Sequence, residues 1–369
     1  MMKRRTYLAT AVGGALGLAG CTGSDSPGET SSAASTGTAT STATEPSGTL
    51  TVATYGSFVD APSSSPGPWL KEEFERRYPN ATLEWVTPES GINHYIQRFN
   101  ADAALEADAY VGLKVPELVR VDQQTDGELF ERPDLDALSN WEHVTSRQFD
   151  ERNRLLPVFT GYCSFVYDGT DVSEPSTLRA LTTDTYEDNV LVQNPTSDNT
   201  GLYFLLWTIK EFGPDGYRDY WRELLANGVS VLDSWGSVYQ AFSEDEVDVI
   251  TSYSNDRVYA ERSDQNLEKH RVAFPNDNGY TNLSGMGTFA PSDQDRLAEA
   301  FLDFMLSPEA QGKLAELNVS FPVTDHASVP SVFEEHAKEP PNPQMYSYEA
   351  LADNLDEWLR GWERTIAES

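Results

Sequence analysis

Aromatic rings with hydroxyl-bearing neighbours are the residues here whose type and spacing point to a task. They gather in residues 229–259, VSVLDSWGSVYQAFSEDEVDVITSYSNDRVY. Trp235 follows Asp233 and Ser234 at the end of one short apolar run (229–232), and Tyr253 lies between Ser252 and Ser254 at the end of a second (247–250). Tyr259 comes six residues later. Rings beside hydroxyls suit a flat, partly polar small molecule better than a metal ion or a phosphate chain. The alternative is that each ring is ordinary core packing.

Catalytic chemistry would need a nucleophile with its base, a metal cluster or a positioned carboxylate pair. The five histidines, at 94, 143, 270, 326 and 336, form no His-Glu-x-x-His spacing. There is no G-x-S-x-G elbow, no C-x-x-C and no glycine-rich phosphate loop. With 59 acidic residues, any pair of carboxylates is uninformative. The expectation is a protein that is not an enzyme and needs no cofactor or metal. An exported glycan-active enzyme is the alternative from another class, because such enzymes carry no motif visible in one sequence.

The elements that must position those rings follow from periodicity. Ser234 can cap a helix whose Val238, Ala241 and Phe242 fall three and four apart, so residues 229–250 read as strand, helix, strand. In such units ligands sit at the C-terminal ends of parallel strands, where the aromatics lie. The folded part opens with an alternating strand at 48–54, followed at once by Tyr55-Gly56-Ser57-Phe58 as a recognition loop. A helix at 69–78, a strand at 83–86, a helix near 92–104 and a strand at 107–113 ending on Gly112 follow. That alternation predicts a parallel or mixed sheet covered on both faces. Residues 155–168, LLPVFTGYCSFVYD, read as an extended apolar ribbon too long for one strand, kinked at Gly161 where it crosses between domains. A strand at 190–193 leads into the polar loop 194–201, whose Ser197, Asp198 and Asn199 either meet a polar group of a ligand or only cap the helix at 202–212. Later come a strand at 279–290, a helix at 297–306 ended by Ser307-Pro308, and an amphipathic helix at 351–366 with Trp358 and Trp362 on its core face.

The N-terminus sets the compartment. Lys3, Arg4 and Arg5 precede a short apolar run and then Leu18-Ala19-Gly20-Cys21, a signal peptide (1–20) ending in a lipobox, with Cys21 as the lipidated residue. The arginine pair predicts twin-arginine export. Residues 21–48, nearly all Ser, Thr, Gly, Ala and Pro, read as a disordered tether holding the rest at the outer membrane face. Formal net charge is −33, falling to −36 once residues 1–20 are removed, and lysine supplies only 7 of 26 basic residues. Acids spread along the chain argue for adaptation to high salt and a halophilic archaeal source, since at molar salt the Debye length is about 3 Å. Such a surface excludes nucleic acid as a partner. Cys163 lies in an apolar run and reads as a buried, inert thiol.

From about Thr49 to Trp362 the chain resembles the periplasmic thiamine-binding proteins of ABC importers, within the two-lobed solute-binding proteins that include iron(III) binders. The resemblance is carried by residues 54–58, Pro66-Gly67-Pro68, residues 108–113, 157–168 and 201–207, Ser234-Trp235, and Thr251-Ser252-Tyr253 with Tyr259. It implies a type II periplasmic-binding-protein fold, α/β, each lobe a mixed β-sheet flanked by helices with the ligand cleft between. Lobe 1 would comprise 49–160 plus about 285–325, and lobe 2 would comprise 161–284 plus about 326–369. It also implies a monomer that delivers its ligand to a permease. Tyr55, Trp235, Tyr253 and Tyr259 match binding positions of the family, Gly112 matches a cleft glycine, and Ser57, Asp198 and Asn199 lie in the loops that reach the ligand. Departures matter: no aromatic stands in residues 59–65, Lys114 replaces an aspartate, and 318–322 reads Asn-Val-Ser-Phe-Pro with one ring fewer. Asp198 stands where the family's phosphate-binding serine lies. A carboxylate there should repel a phosphate ester and attract a thiazolium, so free thiamine or a related cationic heteroaromatic is the expected ligand. The runner-up, a ferric-iron binder, would want neighbouring tyrosines, and the chain has no Tyr-Tyr pair.

Overall fold

The structure is a computed structural model, and it describes residues 45–146 and 149–368. The signal peptide, Cys21 and most of the tether lie outside the described residues. Among the described residues no helix is long and apolar enough to cross a membrane.

The first strands alternate with helices as the periodicity requires. Strand β1 (Gly48–Ala53) is followed by a single helical turn, α1 (Gly56–Val59), then α2 (Gly67–Arg77), which buries Leu70 and Phe74. After β2 (Ala81–Val86) come α3 (Ile92–Asn100), β3 (Ala109–Lys114) and α4 (Val115–Gln124). Strand β1 pairs in parallel with β2 and β3. The chain then enters β4 (Leu156–Tyr167), whose twelve residues are all buried. This corrects the expectation of a ribbon broken at Gly161: β4 is one uninterrupted strand. Its irregularity is a register shift between Pro157 and Phe159 against the later strand β9 (Asn278–Thr288).

Strand β5 (Val190–Gln193) leads into α5 (Asn199–Ala226). The helix breaks at Gly213, at φ 75° and ψ 168°, and Pro214 opens the second piece, where its missing N–H costs nothing. The sequence pattern finds the first piece and misses the resumption. Next come β6 (Ser230–Leu232), α6 (Trp235–Ser243), β7 (Val249–Tyr253), α7 (Asp256–Arg262) and β8 (Arg271–Ala273). Strands β6 and β7 both run parallel to β5, which lies between them. After β9, α8 (Asp295–Met305) stops and Pro308 starts α9 (Pro308–Leu317), with Ser307 capping it. Helix α10 (Ser331–His336), a short β10 (Asn342–Gln344) beside β9, and α11 (Tyr348–Glu368) complete the chain.

The sheet order is β2-β1-β3-β9-β4-β7-β5-β6. Strands β4 and β9 do the joining: residues 156–163 of β4 face β9, while Cys163–Tyr167 face β7 on the other edge. Strand β9 continues to β3 through Ser284–Thr288. Strands buried on both faces read as continuous apolar runs, which explains residues 156–167. Helix α11 packs against α4 and α5, and Trp362 meets Trp221 edge-on at 5.7 Å. Cys163 is buried, and burial pushes its thiol far up, as expected of an inert cysteine.

Candidate functional site

Of the aromatic residues expected to bind ligand, Tyr55, Trp235 and Tyr253 lie at the ends of β1, β6 and β7, and Tyr259 lies in α7. Tyr55, at the start of α1, donates its hydroxyl to Asn318 Oδ1 at 3.0 Å. Its ring lies on the backbone of Gly112, which has φ +94°; a Cβ there would come within 2.8 Å of the Tyr55 ring. Only glycine serves at that point, for conformation and for space. The hydroxyls of Tyr253 and Tyr259 are near enough to bear on the ionisation of Tyr55, adding to the rise that burial causes. Burial pushes all three phenols above the ordinary tyrosine value, so they stand neutral.

Asp198 organises the other side. As the cap of α5 it accepts the Thr200 N–H on Oδ1 at 2.8 Å, and it accepts the Trp235 N–H on Oδ2 at 2.8 Å. One carboxylate thus serves the starts of α5 and α6, each a positive dipole end. Helix α5 comes this close to β5 because residue 201 is glycine: a Cβ there would sit 2.3 Å from the Gln193 carbonyl oxygen. Thr200 in turn donates its hydroxyl to the Tyr253 hydroxyl at 3.1 Å, linking Asp198 to the tyrosines.

Trp235 is the exposed member, 37% accessible. Its indole N–H donates to Ser252 Oγ at 3.1 Å, and its ring stacks on Tyr239 with centroids 4.7 Å apart. The Tyr239 hydroxyl donates to Asp256 Oδ1 at 2.7 Å, and Asp256 Oδ2 lies 2.7 Å from His270 Nδ1. Tryptophan, tyrosine, aspartate and histidine therefore form a braced column with only the outermost ring exposed. Tyr259 rests half-buried against the satellite core of Tyr162, Val258, Ala315, Val319, Phe321 and Phe333.

Ser57 and Asn199 are exposed, and among the described residues no contact ties their side chains to this cluster. Lys114 turns to the Ser284 hydroxyl and lies 5.3 Å from the Phe159 ring centre, and burial brings its ammonium down to about 8. Sequence reasoning undervalued Asn318, Asn255 and Thr200. Asn255 donates to the carbonyl of Val319, a β-branched residue held at φ +47°. Such a conformation is costly for valine and persists only where the surroundings impose it. Strain of that kind has no signature in residue type.

An open cavity of about 920 Å³ lies on the flank between α2, α9 and residues 328–332. Trp69, Lys313 and Val332 line it, and none of the clustered aromatics does. The arrangement of rings, rather than this volume, marks the candidate site.

A family model described as bacterial extracellular solute-binding protein matches residues 121–351. The thiamine-binding periplasmic protein of Salmonella typhimurium is 30% identical over 320 residues, covering 86% of this chain and 93% of that protein. A solved periplasmic thiamin binding protein superposes with TM-score 0.71 at 27% identity, over 88% of this chain and 99% of that one. The ferric binding protein of Campylobacter jejuni shares the fold, with TM-score 0.68 at 16% identity over 86% and 99%. The fold is thus the α/β type II periplasmic-binding-protein fold with its mixed sheet, as the sequence predicts. The chain belongs to the family of bacterial extracellular solute-binding proteins.

Proposed function

We propose that the chain captures thiamine outside the cytoplasm and hands it to an ABC permease. One observation carries this reading: Asp198 accepts the N–H of the exposed, braced Trp235 and, through Thr200, connects to the neutral phenol of Tyr253. Thiamine joins a flat aminopyrimidine to a thiazolium cation. The rings offer stacking and cation–π contacts worth about 0.5–2 kcal/mol each, more once water is excluded. The carboxylate complements the positive ring and disfavours phosphorylated forms, because it already occupies the N–H groups a phosphate would seek. The names of the similar thiamine-binding proteins support the same ligand. Support for ferric iron from structural neighbours is limited to the fold.

The reading includes two lobes, 49–160 with about 285–325 and 161–284 with about 326–369, closing over the ligand about the crossing strands β4 and β9. It includes a monomeric, salt-adapted protein, lipid-anchored at Cys21 after twin-arginine export. Asn199 and Ser57 enter as residues that approach the ligand only on closure. Mass spectrometry of the small molecule retained by protein purified gently at high salt tests the proposal. Thiamine is expected. A retained iron or sugar, with no thiamine, overturns it.

A further inference from the structure

Away from the aromatic cluster, the fold brings His143 to the adjacent pair Asp325 and His326, with 182 positions between His143 and Asp325. One ligand atom from each lies within 4.8 Å of the other two. Backbone pairing sets this up. Val144 bridges Thr324 in antiparallel fashion, the Asp325 N–H donates to the His143 carbonyl at 3.0 Å, and the Thr145 N–H donates to the Val323 carbonyl at 2.9 Å. The two imidazole centroids are 4.0 Å apart, and His143 Nδ1 lies 2.9 Å from Asp325 Oδ1.

The hydrogen bonds decide which nitrogen is free. His326 Nε2 lies 3.0 Å from the Leu306 carbonyl oxygen. A carbonyl can only accept, so Nε2 carries the hydrogen and Nδ1 keeps its lone pair. A backbone carbonyl holding one ring nitrogen in this way is how proteins fix the tautomer and aim of a metal-binding histidine. His143 and His326 are half-exposed and Asp325 is exposed, which leaves room for water to complete a coordination shell.

We propose that His143, Asp325 and His326 bind a divalent transition-metal ion of the zinc type, with water in the remaining positions. Two imidazoles and one carboxylate suit such an ion, whereas magnesium and calcium prefer all-oxygen shells. The distinction matters because the surplus of surface acids attracts any divalent cation weakly. The site fastens residues 141–145 to 323–326 and shares no residue with the aromatic cluster, so it operates whether or not thiamine is the ligand.

The test is a titration of the untagged protein with Co2+ as a coloured stand-in for Zn2+, in molar NaCl with excess Mg2+ to occupy carboxylates. Visible d–d bands should grow to saturation at one ion per chain, and Zn2+ should bleach them. His143→Gln, His326→Gln and Asp325→Asn should each weaken binding by about tenfold or more. Circular dichroism melts confirm that each variant folds. Absence of saturable bands in the unaltered protein overturns the proposal. So does a folded His143→Gln/His326→Gln double variant that binds Co2+ as the parent does.

Discussion

Asp198 satisfies two helix starts with one carboxylate, accepting the N–H groups of Thr200 and Trp235. In this account the same charge selects a cation over a phosphate ester. Replacing Asp198 by Asn keeps a capping oxygen and removes the charge. Calorimetry should then show thiamine binding weakened by up to about tenfold, or about 1.4 kcal/mol, and the preference over thiamine monophosphate reduced. An unchanged preference would remove Asp198 from the explanation of specificity. Legibility at this scale depended on locality. Trp235 and Tyr253 could be picked out because they end apolar runs, and Asp198 because it opens a helix. Asn318 could not, since its bond to Tyr55 spans 263 positions and nothing near either residue announces it. Ser57 and Asn199 were reached through their loops, yet loop membership does not fix where a side chain points.

At the scale of elements, the period of apolar residues placed most strands and helices, because one-sided burial writes itself into sequence. It failed where burial is two-sided or the chain breaks and resumes. The β4 run is longer than an ordinary strand and carries Gly161, so the pattern splits it where the fold does not, and the second half of α5 is hidden behind Gly213-Pro214. The junction of β4 with α4 and α11 rests on an ion pair between a buried arginine and a partly buried aspartate that no pattern shows. Arg154 makes two bonds to Asp122, at 2.7 and 2.8 Å, and Tyr348 donates to the same carboxylate. Burial alone would raise the Asp122 carboxyl, but Arg154, Tyr348 and Arg152 outweigh it and hold the group below its usual value. Asp122→Asn removes the charged partner of two Arg154 hydrogen bonds and leaves the guanidinium with Asp150 at 3.4 Å, so urea melts near neutral pH should show a loss of about 2 kcal/mol. A carboxyl depressed in the folded state stabilises above its unfolded pKa of about 3.9, and that contribution disappears as pH falls through the lower folded value. The gap between parent and variant should therefore narrow below about pH 4, and a gap independent of pH would show that packing, not charge, is involved.

For the whole molecule, 59 acids against 26 bases make self-repulsion the dominant long-range force. Screening to a Debye length of about 3 Å at molar salt should raise the melting temperature steadily with added NaCl, and a flat or falling curve would contradict a salt-adapted surface. Architecture at this scale was readable through the strand–helix alternation and the family resemblance, because both are spread over hundreds of residues. The crossing of β4 and β9 fixes how the halves of the sheet connect; Tyr55 follows β1 on one side of it, Trp235 and Tyr253 lie at the ends of β6 and β7 on the other, and Tyr259 lies in α7. The most direct measurement of the central claim is a calorimetric titration of ligand-stripped protein with thiamine at high salt, alongside the Trp235→Ala variant. The account predicts one thiamine per chain, thiamine monophosphate weaker by about tenfold or more, and a comparable loss in the variant. No heat with thiamine, or identical binding by the variant, would contradict it.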